Sequence, residues 1–223
     1  MSVYNDEYNV KLAIESILNQ SFRDFEFLIM NDCSSDNTFE ICNEYSKLDN
    51  RIKVYQNDKN IGLTKSLNKL LSFAKGDFIA RQDSDDISLS ERFFKQINFI
   101  SENSLDGSTT RAIIKNSLKV TPNKSIYLPK KIIMKIKNPF IHGSLILRRN
   151  LLNKMGGYDE KFYYAQDFKL LNDLIQNDYK LKILKEALYV LNQSDNISTK
   201  FKDKQKFYAD CVKKGISPIK NFK

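Results

Sequence analysis

Three carboxylates fall within four residues at Asp83-Ser84-Asp85-Asp86, just after the apolar run Phe78-Ile79-Ala80. An apolar run of that length bounded by polar residues predicts a buried strand. Like charges crowded at its end raise the free energy unless a cation or cationic ligand joins them. Asp83 and Asp85, two apart, can hold a hard divalent ion and leave ligand positions open to phosphate oxygens. Taken alone, the same four residues also describe a solvated acidic turn. Arg81 precedes them and is either a phosphate ligand or an ion-pair partner for Asp86.

The elements that would carry this loop alternate along the first hundred residues. Ser2-Val3-Tyr4-Asn5 closes a strand, and Val10, Ala13, Ile14, Ile17 and Leu18 follow at helical spacing. Phe25 to Met30 predicts a second strand ending at Asn31-Asp32, and Ser34-Ser35-Asp36-Asn37 offers N-cap chemistry for a helix to Leu48. Arg51 to Tyr55 predicts a third strand. After the Asn60-Ile61-Gly62 turn, Leu63, Leu67, Leu70, Leu71 and Ala74 line another helix face. Ser88 and Glu91 stand in capping-box relation ahead of Phe93, Phe94, Ile97 and Ile100. Such alternation predicts an α/β fold with a mostly parallel central sheet flanked by helices. Ligands of such sheets bind beyond the carboxyl ends of the strands, where Asn5, Asp32 and Asp83/Asp85 all fall.

From Ser101 to Asn138 the pattern weakens, with short β-like runs at Ala112 to Ile114 and Ser125 to Leu128. Pro139 to Arg149 predicts a strand and Gly156-Gly157 a tight turn. Gln166-Asp167 opens a helix with Leu170, Leu171, Leu174 and Ile175 on one face. Two strand-like runs follow, at residues 180–184 and 187–191.

The formal charge of +9 is unevenly spread: residues 1–100 hold 12 basic and 16 acidic side chains, residues 101–223 hold 24 and 11. A basic second half points to phosphorylated substrates or an anionic membrane surface, and the acidic first half argues against a nucleic-acid binder. Cys33, Cys42 and Cys211 show no metal-ligand spacing, and an odd count is no disulfide framework. A reducing cytoplasm is the expected compartment, peripheral at the inner face of the cell membrane if the basic half meets lipid. No apolar run approaches the 18 residues of a membrane span, and no secretion signal is visible.

Together these phrases resemble the family-two glycosyltransferases of GT-A fold, in their bacterial, inverting form. The resemblance rests on Ser2-Val3-Tyr4-Asn5, Ala13 to Phe22, Asn31 to Thr38, Asn60-Ile61-Gly62-Leu63, Asp83-Ser84-Asp85-Asp86 with Ser90-Glu91-Arg92, His142-Gly143-Ser144, Gly156 to Glu160 and Gln166-Asp167. Each motif alone is weak, and their order and spacing are specific. The resemblance implies a nucleotide-sugar-binding, Rossmann-like half over residues 1–100, an acceptor-side half over 101–192 and a basic tail over 193–223. It implies transfer of a sugar, with inversion, from a nucleotide diphosphate donor (a UDP-sugar foremost) to a hydroxyl of a glycan or lipid-linked acceptor in surface polysaccharide synthesis. By the same resemblance Asp32 accepts a hydrogen bond from the base, and Tyr4 lies against it. Ser2 and Asn5 line that strand end, and Arg81 and Asp83 belong to the nucleotide side. Asp85, supported by Asp83 and Asp86, holds Mg²⁺ or Mn²⁺. Asp167 takes the acceptor proton. Each role has a plain structural alternative: a strand aromatic for Tyr4, a turn residue for Asp32, a helix-start carboxylate for Asp167. His142 either lines the acceptor cleft or packs through a hydrogen bond.

Two departures from the family pattern stand out. Gln166 replaces the Glu that precedes the candidate base, removing one like charge beside Asp167. Only Met1 precedes Ser2, where the family carries several apolar residues completing a central strand. That shortening predicts lost burial and lost ladder hydrogen bonds, and hence either a natural start further upstream or an impaired member acting as a binding protein. A sugar nucleotidyltransferase is the remaining enzymatic alternative, disfavoured because residues 4–12 contain no glycine for a phosphate loop. The lysine-rich stretch from Phe201 is expected to be amphipathic or disordered and to favour anionic lipid.

Overall fold

Phe27–Asn31 (β2) is buried at every position, because it is the middle strand of a three-stranded parallel sheet. β1 (Ser2–Val3) pairs with it on one side and β3 (Ile52–Gln56) on the other. α1 (Val10–Leu18) and α2 (Thr38–Leu48) connect these strands, and Val10, Ala13, Ile14 and Ile17 bury the face that helical spacing predicted. α3 (Leu63–Phe73) then leads to β4 (Phe78–Ala80). The computed structural model describes residues 1–117, 119–193 and 201–218.

β4 delivers the carboxylate loop but pairs antiparallel with β8 (Ile146–Arg148) rather than extending the parallel sheet. It is the edge of a second sheet of order β4-β8-β6-β9-β5, built with β6 (Gly107–Ile114), β9 (Leu181–Leu191) and β5 (Ile87–Ser88), while β7 (Val120–Thr121) adds to β6. In this second sheet only the β6–β9 pair is parallel. The two runs read at 180–184 and 187–191 form the single strand β9, and the run at Ala112 to Ile114 is the end of the longer β6. The register of this pair shifts between Thr110 and Ala112, opposite the gap between the two runs.

α4 (Arg92–Glu102) covers the junction of the sheets. The capping box proposed for it does not form: Ser88 lies in β5 and donates its hydroxyl to Gln82 Oε1 at 2.6 Å, and Glu91 occupies the N-cap. Pro139 to Arg149 is not one strand but a short 3₁₀ turn, His142–Ser144, followed by β8. Ser125 to Leu128, β-like in sequence, lies largely in a second 3₁₀ turn, Lys124–Tyr127. α5 (Lys130–Ile133) and α6 (Arg149–Lys154) are short, and α7 (Gln166–Gln176) begins where predicted.

The core divides as the sheets do. Val3, Ile14, Ile29, Ile52, Phe93 and Ile100 pack about the parallel sheet, and Phe140, Leu147, Phe162, Leu171 and Leu174 form a second core with α7. A cavity of about 690 Å³ lies between the first half of β2 and β4, lined by Phe27, Leu28, Ile79 and Phe93. The basic stretch after Phe201 forms α8 (Lys202–Lys214), with Cys211 and Val212 buried and Phe207 and Tyr208 against this second core. Lys220, Phe222 and Lys223 of the predicted tail lie outside the described residues.

Candidate active site

The carboxylate loop is held from below by side chains that sequence motifs did not mark. Gln82, buried, donates to the carbonyls of Asp83 and Asp86 at 2.9 and 2.8 Å, fixing both ends of the turn. Tyr189 on β9 accepts from the Asp83 amide at 3.2 Å, and Asn192 donates its backbone N–H to Asp86 Oδ1 at 2.6 Å. Arg92, fully buried between the Phe93 and Tyr189 rings, donates to the carbonyls of Arg81 and Gly143. Burial pulls its pKa down to about 10, so it stays cationic at neutral pH beneath the carboxylates. These partners are far apart in sequence or isolated polar residues, and only packing brings them together.

The three carboxylates differ in environment. Asp83 pairs with the buried Arg81 guanidinium. Burial alone would raise its pKa, but Arg81 holds the carboxyl below the usual range. The partner of Arg81 is thus Asp83, not Asp86. Asp85 is half-buried and pairs with no Lys or Arg among the described residues. Burial first, then Asp83 and Asp6, push its pKa up to about 7. Asp86 is buried, and burial with Asp83 and Asp85 pushes it up to about 8. Asp6, not singled out in the sequence, accepts from Ser84 Oγ at 2.6 Å and brings the end of β1 to the loop.

At the end of β1, Ser2 is half-buried and Tyr4 half-exposed. Asn5 adopts a left-handed turn (φ 48°) whose amide donates to Ser34 Oγ and whose Oδ1 accepts from the Ser35 amide. This turn joins the ends of β1 and β2. Asp32 is 2% exposed, and its oxygens accept from Asn57 Nδ2 and the amides of Ile61 and Gly62 at 2.8 to 2.9 Å. These bonds tie the Asn57 to Gly62 loop to the end of β2.

On the other side, Asp167 lies in the first turn of α7 and accepts from Asn138 Nδ2 at 2.9 Å. Ala165 before it is left-handed (φ 54°), an uncommon conformation for a side chain with a Cβ, and its amide donates to Gln205 of α8 at 3.2 Å. The C-terminal helix therefore braces the turn that presents Asp167. Asn68 of α3 clamps the backbone of Tyr158 through both N–H and carbonyl at 2.9 Å, fixing the loop between Gly157 and Ala165.

His142 connects the two sides. Its Nε2 lies 2.8 Å from the Tyr158 hydroxyl, and its neighbour Gly143 packs against the carboxylate loop. Burial and the Arg81 charge lower its pKa to about 4, so it is neutral at physiological pH. As the single histidine, it should give one imidazole resonance titrating near pH 4, and a midpoint at 6 or above would contradict this environment. A Cβ on Gly143 would lie 2.3 Å from the Tyr189 hydroxyl and 2.7 Å from Asp83 Oδ2. Gly143→Ala should therefore destabilise the fold by about 2 kcal/mol in denaturant unfolding and displace Asp83. Unchanged stability would show that the loop is loose.

The donor set suits a hard cation completed by other ligands. Asp83 and Asp6 outweigh the charge of Lys115 at Asp85, yet among the described residues no group of three His, Cys, Asp or Glu side chains is placed to hold a metal by itself. Arg81 Nε and Asn31 Nδ2, both buried, have no hydrogen-bond partner among the described residues.

The chain belongs to glycosyl transferase family 2, whose sequence model matches residues 1–156. It is 36% identical over 180 residues to the O-antigen biosynthesis glycosyltransferase WbnJ of Escherichia coli, covering 76% of this chain and 68% of that protein. It is 30% identical over 213 residues to WfgD of the same species, a UDP-Glc:alpha-D-GlcNAc-diphosphoundecaprenol beta-1,3-glucosyltransferase, covering 91% and 80%. Among solved structures, S. aureus TarS 1–349 in complex with UDP superposes with TM-score 0.76 at 23% identity, covering 98% of this chain and 65% of that one. The mannosyltransferase PcManGT from Pyrobaculum calidifontis, in complex with GDP-Man and Mn²⁺, gives 0.76 at 14%, covering 97% and 64%. These likenesses bear out the GT-A fold. The chain spans under two thirds of the length of these two solved chains.

Proposed function

We propose that this protein transfers a sugar from a nucleotide diphosphate donor to an acceptor hydroxyl with inversion, in the synthesis of a bacterial surface polysaccharide. The observation that carries the reading is the unpaired, half-buried Asp85, beside a first carboxylate already neutralised by Arg81. Such a position favours a cation that also binds a diphosphate, and Asp83 would serve mainly to orient the loop and meet the nucleotide. Mg²⁺ or Mn²⁺ on Asp85 would supply Lewis-acid stabilisation of the departing diphosphate. Tyr4, Ser2 and Asn5 would border the nucleoside, and Asp32, held by the Asn57 to Gly62 loop, would accept a hydrogen bond from the base. Asp167 would accept the hydroxyl proton as the acceptor oxygen bonds to the anomeric carbon and the carbon–oxygen bond to the diphosphate breaks. Asn138 keeps that carboxylate oriented.

A UDP-sugar is the proposed donor and a lipid-linked glycan the proposed acceptor, in line with the names of WfgD and of the UDP-bound TarS structure. Calorimetric titration with UDP-, GDP- and dTDP-sugars, each with and without Mn²⁺, tests the reading. Metal-dependent binding of one nucleotide class is the expected result. Binding of none, in a sample that unfolds cooperatively, would sink it.

A further inference from the structure

We propose that the segment Lys124 to Lys137 is a docking surface for an anionic membrane. Tyr127, Leu128, Ile132 and Ile136 are exposed by 71, 47, 58 and 65%. Large apolar side chains gathered in one short segment mark an interaction site. Lys130 Nζ donates to the Ile126 carbonyl at 2.7 Å, folding the 3₁₀ turn that carries Tyr127 against α5. Ile132 and Ile136, four apart, extend the same side of this helical segment, while Ile133 and Met134 between them are buried and anchor it to the body.

The charged side chains within the segment are all lysines. Lys124, Lys135 and Lys137 are exposed, with no ion-pair partner among the described residues, and Lys185 of β9 lies 5.5 Å above the Tyr127 ring. The acidic group facing the segment is Asp178, which Lys131 engages at 2.6 Å. From residue 107 to residue 158 the sequence holds eleven Lys and Arg and no Asp or Glu. Apolar side chains interleaved with unpaired lysines match the interface of an anionic bilayer, where the chains enter the acyl boundary and the ammonium groups meet headgroup phosphates. A protein partner of matching area would need its own acidic rim and apolar centre; a membrane supplies both. α8, the basic stretch that the sequence alone favoured for this role, has Cys211 and Val212 buried and Phe207 and Tyr208 half-buried against the core.

The residue after the segment is Asn138, whose side chain holds Asp167. Docking through it would set the acceptor side of the cleft at the bilayer surface, within reach of a lipid-linked hydroxyl. That placement rests on the glycosyl-transfer reading, whereas the docking itself does not.

Sedimentation of the full chain with vesicles of phosphatidylcholine, alone or mixed with phosphatidylglycerol, tests the proposal. Binding to the mixed vesicles should exceed that to the neutral ones and weaken with salt. Lys135→Gln/Lys137→Gln should lower the partition about thirtyfold and Ile132→Ser/Ile136→Ser about tenfold or more. Lys206→Gln/Lys213→Gln on α8, outside the docked segment, should change it by less than about twofold. UDP-sugar binding in solution, measured on the same variants, should be unchanged, which separates failure of docking from failure of the glycosyl-transfer reading. The proposal is overturned if the wild-type protein ignores anionic vesicles, or if only the α8 variant loses binding. It is equally overturned if the Ile132/Ile136 pair proves to mediate self-association in sedimentation velocity without affecting vesicle binding.

Discussion

Asp85→Asn should make the ligand-free protein more stable while removing its metal-dependent donor binding. Burial, Asp83 and Asp6 raise the Asp85 pKa to about 7, above the value of about 3.9 for an unfolded chain. A group shifted upward on folding contributes its stability below the unfolded value and loses it as pH rises through the folded one. At neutral pH the ionised carboxylate is therefore held at a loss. Discounted for half exposure, relief of that loss is about 1–2 kcal/mol, or roughly 2–6 °C in melting temperature for a chain of this size. The same substitution removes a negatively charged oxygen ligand, so the Mn²⁺-dependent increment in UDP-sugar affinity should fall by more than about a hundredfold. Calorimetry and thermal unfolding on one preparation read both. A variant that loses stability and keeps its donor affinity would mean that Asp85 is an ordinary surface carboxylate.

Asp167→Asn should separate binding from chemistry on the other side of the cleft. The amide fills the same space and can still meet the Asn138 side chain, so donor affinity should stay within about twofold, but it cannot take a proton. Turnover should drop by about 10²–10⁴, the usual contribution of a positioned general base. Equal loss in kcat and kcat/KM, with KM for the donor unchanged, is the signature of a group acting only in the transition state. Turnover within tenfold of wild type would leave Asp167 with a structural role at the start of α7. Because Ala165 is braced by Gln205, the position of Asp167 also depends on α8.

The α/β class was legible in the sequence because α1, β2, α2 and α3 bury continuous stripes or runs, and amphipathic periodicity is a local signal. The carboxylate loop and the start of α7 were legible for a similar reason: Asp83 to Asp86 and Gln166-Asp167 are contiguous. Pairing was not. β4 reads as one more parallel strand, yet its partner is β8, some 70 residues on. β6 and β9 read only as short separate runs, although their pairing is the most extensive in the molecule.

The residues that set the chemistry of the loop were the least visible. Gln82, Tyr189, Asn192 and Asn68 are single polar residues with no motif around them, and their roles exist only where the chain brings them into hydrogen-bond range. Asp32 shows the reverse. Its motif was plain, but folding turns both oxygens toward Asn57, Ile61 and Gly62. The basic stretch after Phe201 offers composition without destination, and the packing of Tyr208, Cys211 and Val212 decides it. By itself the sequence determined which carboxylates the protein carries and at which strand and helix ends they stand, since capping, periodicity and spacing are local. Tertiary structure alone decided that Arg81 neutralises Asp83 while Asp85 stays unpaired and raised, because desolvation and neighbouring charge come into being only when distant segments close over the loop.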